Sequence, residues 1–109
     1  MTSYKIDRER WWKLTIFEQM GNIGSEVGRS FTAQKFQDSK RVEAAMIRAL
    51  DLFDATVEQL IKTKSPKAKE VLRAKEQFLE ALSDSANEND RASLDRYFFQ
   101  FALAARRNR

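Results

Sequence analysis

The chain has 109 residues, of which 42% are hydrophobic and 33% charged, with three glycines, one proline and no cysteine or histidine. This composition is typical of one helix-rich globular domain, and the lack of cysteine excludes disulfides and thiolate metal sites. The lack of histidine excludes serine–histidine and cysteine–histidine catalysis. The net charge of +4 permits an anionic partner such as nucleic acid.

Residues 1–13 mix charged side chains with Tyr4, Trp11 and Trp12 and show no helical period, so we predict an N-terminal arm or short helix. They lack the apolar core of a signal peptide, and no apolar run approaches the ~20 residues that span a membrane. We therefore expect a cytoplasmic protein without a membrane partner. Base stacking would require these aromatic side chains to be exposed; a place in the core or in an interface is the favoured interpretation.

The first long helix is predicted to start at Thr15, which forms a capping-box pattern with Glu18, and to end near Phe36. Its apolar residues recur at helical spacing: Ile16, Met20, Ile23, Val27 and Phe31.

Three glycines, Gly21, Gly24 and Gly28, lie on one strip beside that apolar stripe; we call them the glycine strip. Each costs about 1 kcal/mol relative to alanine in a helix interior, which favours close approach of a neighbouring helix as their role. A phosphate-binding loop is the alternative, but such loops follow a strand, and none is predicted here.

The second helix is predicted to be capped by Asp38 or Ser39. Its apolar stripe is the clearest in the chain: Val42, Ala45, Met46, Ala49, Leu50, Phe53, Val57, Leu60 and Ile61.

Away from that stripe lie three carboxylates, Asp51, Asp54 and Glu58, which we call the acidic strip. A solvated charged face is the favoured interpretation. The alternative is a magnesium-dependent hydrolase, since magnesium needs only oxygen ligands.

The dipeptide Ser65-Pro66 predicts the start of a third helix. Its inward residues are predicted to be Ala68, Val71, Leu72, Phe78, Leu79 and Leu82. Lys75 interrupts this stripe, so its ammonium must either extend to water, which is favoured, or meet a carboxylate. A loop over Ser83–Asn89 should follow.

The last helix is predicted to be capped by Asp90 or Ser93. Its apolar residues cover more of the helix than contact with a single core can bury. One stripe suits a core: Leu94, Tyr97, Phe98, Phe101, Ala102 and Ala105. Phe99 and Leu103 point outside it and require a second partner surface. We therefore predict a homo-oligomer whose interface includes Phe99, Leu103 and the glycine strip.

Four helices with short connections favour an all-α, antiparallel up-down-up-down four-helix bundle. In this topology the turn between the second and third helices lies at the same pole as the C-terminus. Basic residues concentrate at both places: Lys62, Lys64, Lys67, Lys69 and Arg73, and Arg106, Arg107 and Arg109. They predict a nucleic-acid surface, although cations at a helix C-terminus also stabilise its dipole.

Three segments, MGNIGSEVGR at 20–29, RALDLFD at 48–54 and RYFFQFALAAR at 96–106, resemble those of a family of small prokaryotic helical proteins. In size, charge and helix count the chain is also distantly similar to the four-helix-bundle proteins of ribosomal-RNA intervening sequences and to the accessory protein of diversity-generating retroelements. The likeness to the retroelement accessory protein implies a ring-shaped oligomer that binds nucleic acid beside a reverse transcriptase.

These observations predict a non-catalytic, oligomeric binding or assembly protein without a cofactor, whose partner is nucleic acid or a nucleic-acid enzyme. The alternatives are a purely structural protein–protein adaptor and the hydrolase built on the acidic strip.

Overall fold

The computed structural model describes residues 5–83 and 87–107, and this part of the chain is all-helical. The helices are α1 (Arg8–Trp11), α2 (Ile16–Lys35), α3 (Ser39–Lys62), α4 (Lys67–Ala81) and α5 (Glu88–Arg107). The predicted N-terminal arm therefore contains the short helix α1. In the described ranges, no helix has the length and apolar character needed to cross a membrane.

The starts of α2 and α3 confirm the capping predictions. Thr15 donates its N–H to Glu18 Oε1 at 2.9 Å, and Glu18 donates its own to Thr15 Oγ1 at 3.1 Å, which completes the capping box. Asp38 caps α3 by accepting the N–H of Arg41 at 3.2 Å. Each cap satisfies backbone donors that the first turn leaves unpaired.

The start of α4 lies at Ser65-Pro66 as predicted, whereas the start of α5 differs from prediction. Pro66 occupies the N-cap position of α4, and Ser65 Oγ accepts the N–H of Lys67 at 3.2 Å. Because α5 begins at Glu88, the predicted cap at Asp90 or Ser93 is wrong. Asn87, which was assigned to the loop, accepts the N–H of Asp90 at 2.9 Å and takes that role; asparagine is among the strongest N-cap residues.

Both α2 and α3 end in a Schellman motif with a non-glycine residue in the left-handed region. Gln37 has φ 57° and Lys64 has φ 55°. The next residue in each case bonds back to the helix, from Asp38 N to Ala33 O and from Ser65 N to Leu60 O. This left-handed position usually holds glycine, because a Cβ atom is unfavourable there. Gln37 and Lys64 therefore each carry a conformational cost.

The long helices pack in a closed series of contacts. Helix α2 contacts α3 and α5, α3 contacts α4, α4 contacts α5, and α1 lies on α3. At the centre, the ring of Phe53 lies 6.1 Å from that of Phe78 and 6.0 Å from that of Phe98, joining α3, α4 and α5. Ile23 and Val27 of α2 are fully buried in the same core.

Three residues that were predicted to face inward are exposed: Ile61, Leu72 and Leu79. The buried stripe of α4 is Val71, Ala74, Phe78 and Ala81. Leu72 and Leu79 each follow a buried position by one residue, which turns them about 100° away from the core. Ile61 follows buried Leu60 in the same way.

Candidate functional site

The acidic strip on α3 holds the N-terminal segment. Asp51 accepts the N–H of Ile6 at 2.6 Å and two bonds from Arg8 Nη1 at 2.9 and 3.0 Å. Arg8 Nη2 also donates to Glu58 at 3.0 Å. Burial lowers the pKa of the Arg8 guanidinium, but its hydrogen bonds to the two carboxylates outweigh this and the pKa lies above its ordinary value.

The third carboxylate of the strip points to a different partner. Asp54 pairs with Lys75 Nζ at 2.9 Å, so the lysine that interrupts the α4 stripe meets a carboxylate rather than extending freely to water. Within residues 5–83 and 87–107, no three acidic side chains come together as a metal ion would require. Asp54 and Glu58 are exposed, as expected of a solvated face, whereas Asp51 is partly covered by the N-terminal segment. Arg8 and Lys75 pair with the strip, which does not form a convergent set of ligands among the described residues.

The two tryptophans anchor α1. Trp11 is buried and donates its indole N–H to Thr56 Oγ1 at 2.9 Å, while half-buried Trp12 donates to Ala55 O at 2.8 Å. Buried Gln19 reinforces the junction by donating to Trp11 O at 3.1 Å. These contacts agree with a core role for both indoles; Tyr4 lies outside the described residues.

The glycine strip allows α5 to approach α2 closely within the same chain. A Cβ atom on Gly24 would lie 2.5 Å from Cβ of Phe98, and one on Gly21 would lie 3.2 Å from Cα of Ala102. At Gly28 the nearest atom would be Asp95 Oδ1, at 3.9 Å. The first two glycines are therefore used by intrachain packing, and only Gly28 has space above it; their part in an oligomer interface stays a prediction.

A groove of about 1150 Å³ runs over the outer face of α2, between the first half of α3 and the middle of α5; we call it the α2 groove. Its floor is lined by small residues of α2, among them Gly24, Gly28 and Ala33. Larger side chains of the neighbouring helices also line it, among them Arg41 and Arg48 of α3 and Arg96 and Phe99 of α5. The residue sizes along α2 thus create the depression.

Two aromatic side chains border the α2 groove and are largely exposed. Phe36, at the end of α2, is 77% exposed, and Phe99 of α5 is 56% exposed. Leu103, one turn beyond Phe99, is 37% exposed. The last helix thus has the second apolar surface expected of it, and Phe36 extends that surface to the other side of the groove.

The rim of the α2 groove carries charges of both signs. Buried Glu26 pairs with both Arg29 and Arg48. Arg41 pairs with Asp38, with Nε 3.3 Å from Oδ2. On α5, Asp95 and Arg96 have no ion-pair partner among the described residues. Burial, with a smaller contribution from Glu88, raises the pKa of Asp95.

Two contacts bring parts of the two predicted basic clusters to the same end of the molecule. Phe17 lies at the start of α2. The centre of its ring is 5.9 Å from Lys67 Nζ of α4 and 6.5 Å from the centre of the Phe101 ring of α5. The turn after α3 and the end of α5 therefore meet near the start of α2. We call the described cations of both clusters the basic pole; Arg73 lies in the middle of α4, and the others lie in or near the last turn of α3, the first turn of α4 and the end of α5: Lys62, Lys64, Lys67, Lys69, Arg73, Arg106 and Arg107. Arg109 lies outside the described residues.

All members of the basic pole are exposed, and none pairs with a carboxylate in the part of the chain that the structure describes. Lys62 lies over the ring of Trp12 at 5.4 Å, and Lys67 over that of Phe17. Several cations elsewhere, in contrast, are neutralised by nearby carboxylates, including Arg8, Arg48 and Lys75.

Two features of these surfaces escaped the sequence interpretation. Phe36 was taken only as a helix end, although a large apolar residue at a helix terminus is a signal for a surface contact. Glu26 carries no local signal of its burial, because its partner Arg48 comes from α3. Comparison of the chain with protein-family models, with curated proteins and with solved structures finds no match.

Proposed function

We propose that this chain is a non-catalytic binding and assembly protein that binds nucleic acid through the basic pole. The observation that carries the proposal is the concentration of exposed cations without carboxylate partners at one end of the described fold. Ion pairs neutralise Arg8, Arg48 and Lys75 elsewhere, whereas no cation of the basic pole has an ion pair among the described residues. A phosphate backbone is the anionic polymer that makes use of such a surface.

Counterion release makes this proposal measurable. Each phosphate neutralised by a lysine or arginine contributes about −0.9 to the slope of log K against log salt on duplex DNA. The basic pole should therefore give steeply salt-dependent, sequence-independent binding. Stacking on bases is not required, because both described tryptophans bond to the backbone or to side chains of α3.

The test is fluorescence anisotropy of random-sequence duplex DNA and single-stranded RNA, titrated with the full chain at salt from about 50 to 200 mM. We compare the wild type with K64E/K69E, which reverses two exposed pole residues that make no described ion pair. The control is K35E/K40E, which makes the same change in net charge at the opposite end of α2 and α3.

We expect the pole variant to lose at least about tenfold in affinity and to show a shallower salt slope, and the control variant to lose much less. No binding of the wild type at the lowest salt would overturn the proposal. Equal losses in the two variants would also overturn it, because binding would then follow net charge rather than the basic pole.

For the architecture, we propose that α2 to α5 form an antiparallel up-down-up-down four-helix bundle, with α1 as an addition on α3. The closed series of contacts supports this arrangement, as does the pairing at the other end, where Gln34 bonds to Leu82 O at 2.9 Å and to Arg91 at 3.0 Å. The likeness to retroelement accessory proteins adds a nucleic-acid enzyme as the companion of such a bundle.

A purely structural protein–protein adaptor is the second candidate, and the exposed Phe36 and Phe99 favour it. The hydrolase candidate has lost support, because the acidic strip is bound by Arg8 and Lys75. The same anisotropy assay separates adaptor from nucleic-acid binder, since an adaptor would give no salt-dependent signal with either polymer.

A further inference from the structure

The α2 groove combines a depression and projecting apolar side chains on one face. Its floor is built from glycine and alanine, and Phe36 and Phe99 border it with most of their surface exposed. Exposed phenylalanines beside an apolar floor are unfavourable in water and are typical of a surface that contacts another protein.

The rim charges decide which kind of protein fits. The groove is lined by four arginines and two aspartates, but three of the arginines are already paired, Arg29 and Arg48 with Glu26 and Arg41 with Asp38. Little charge is therefore left free to attract a strongly acidic or strongly basic partner. On α5, Asp95 and Arg96 are adjacent, opposite in charge and unpaired within the described residues. If a second copy of the chain is related to the first by a two-fold axis, Asp95 of each copy can face Arg96 of the other.

Shape leads to the same partner. A two-fold interface brings one patch against a second copy of itself, so it needs projections and depressions on the same face. The α2 groove has both, because its aromatic borders stand beside a floor that is open at Gly28. A nucleic acid would instead favour the basic pole, where the cations are unpaired.

We propose that the α2 groove is the interface between two copies of this chain. Phe36 and Phe99 of each copy enter the groove of the other, and Asp95 pairs with Arg96 of the partner subunit. This interface goes beyond the proposed nucleic-acid function and does not depend on it. It leaves the basic poles of both copies open, so that a dimer offers twice the number of phosphate contacts.

The first experiment is sedimentation velocity of the full chain from about 1 to 300 µM, a range that covers micromolar association. We expect a dimer for the wild type and a monomer for F36E and for F99E. The matched control is L79E, which places the same charge on an exposed leucine outside the groove and should remain dimeric. Thermal unfolding of each variant verifies that the fold is intact.

The second experiment tests the charge pairing. D95R alone and R96D alone should both associate at least about tenfold more weakly than the wild type, because each places like charges across the two-fold axis. An equimolar mixture of the two variants should associate again, because every facing pair is then opposite in sign.

Three results would overturn the proposal: a wild-type monomer over the whole range, dissociation by L79E as strong as by F99E, or a mixture that associates no better than its components. A monomer that still binds DNA through the basic pole would overturn this interface alone. A dimer that binds no nucleic acid would overturn only the proposed function.

Discussion

The basic pole and the α2 groove are both exposed, but they are built in opposite ways. The pole consists of long, exposed cations, most of them near helix ends, whose positions follow from the order of the helices. The groove consists of the smallest residues of α2 and is shaped by how closely α5 packs on them. A substitution at the pole therefore changes charge with little effect on packing, whereas a substitution under the groove changes packing first.

The largest expected difference between the two regions is in stability, at Gly24. G24A places a Cβ atom 2.5 Å from that of Phe98 and should destabilise the fold by about 1–3 kcal/mol, the usual cost of overpacking. G28A is the matched control in the same helix: its Cβ meets nothing closer than 3.9 Å, and it should stabilise the fold by about 0.5–1 kcal/mol. Urea unfolding measures both. A neutral G24A would show that α5 does not need its close approach to α2.

The next effect concerns Glu26, which holds two arginines at the rim of the groove. E26Q should destabilise the fold by about 1 kcal/mol, because Arg29 and Arg48 lose their shared carboxylate and are both partly exposed. The comparison at the pole is K69A, which has no ion pair among the described residues and should change stability by less than about 0.5 kcal/mol. Chemical unfolding at low and high salt checks both, and a loss in K69A equal to that in E26Q would contradict the contrast.

A smaller effect separates the regions by function rather than by stability. Gln37 lies near the groove and Lys64 belongs to the pole, and both have positive φ values. Q37G and K64G should each stabilise the fold by about 0.5–1 kcal/mol by removing left-handed strain. Only K64G should also weaken binding to DNA, by severalfold, because it alone removes a pole cation. Thermal unfolding and anisotropy on the same samples test this, and equal DNA affinities would refute it.

The smallest effect is the pH dependence at Asp95. Burial raises the pKa of Asp95, so its charged form disfavours the folded monomer, and stability should increase as pH falls through that raised pKa. D95N should therefore be slightly more stable than the wild type at pH 7, by less than about 0.5 kcal/mol because the group is partly solvated, and equal to it once the carboxyl is protonated. Measuring at concentrations where the chain is monomeric isolates this effect. If D95N gained more stability over the wild type in acid than at neutral pH, the prediction would be wrong.

The elements with local signals were predictable from sequence. The capping box of Thr15 and Glu18, the Asp38 cap and most of the buried stripes of α2 and α3 follow from spacing alone, and the structure confirms them; Ile61 is the exposed exception in α3. The start of α5 was missed because several capping residues follow one another there, and spacing does not choose between Asn87, Asp90 and Ser93.

The surfaces were predictable only in part, because they depend on which helix covers which face. The exposure of Phe99 could be expected from the helical wheel, but the contact of Gly24 with Phe98 requires knowing that α5 lies on α2. The polar character of the acidic strip was predictable, but its partners were not, because Arg8 and Lys75 come from segments far away in sequence. Periodicity reports that a face is polar and does not report what covers it.

The approach of α5 to α2 also has a kinetic consequence. The contact joins residue 24 to residue 98, and so it closes a loop that contains α3 and α4. Contacts of such long sequence separation are costly in chain entropy until the intervening helices have collapsed. We expect the α2–α5 seam to form late in folding, so that substitutions such as G24A accelerate unfolding and leave the folding rate nearly unchanged. The face proposed to receive a second copy would then be completed last.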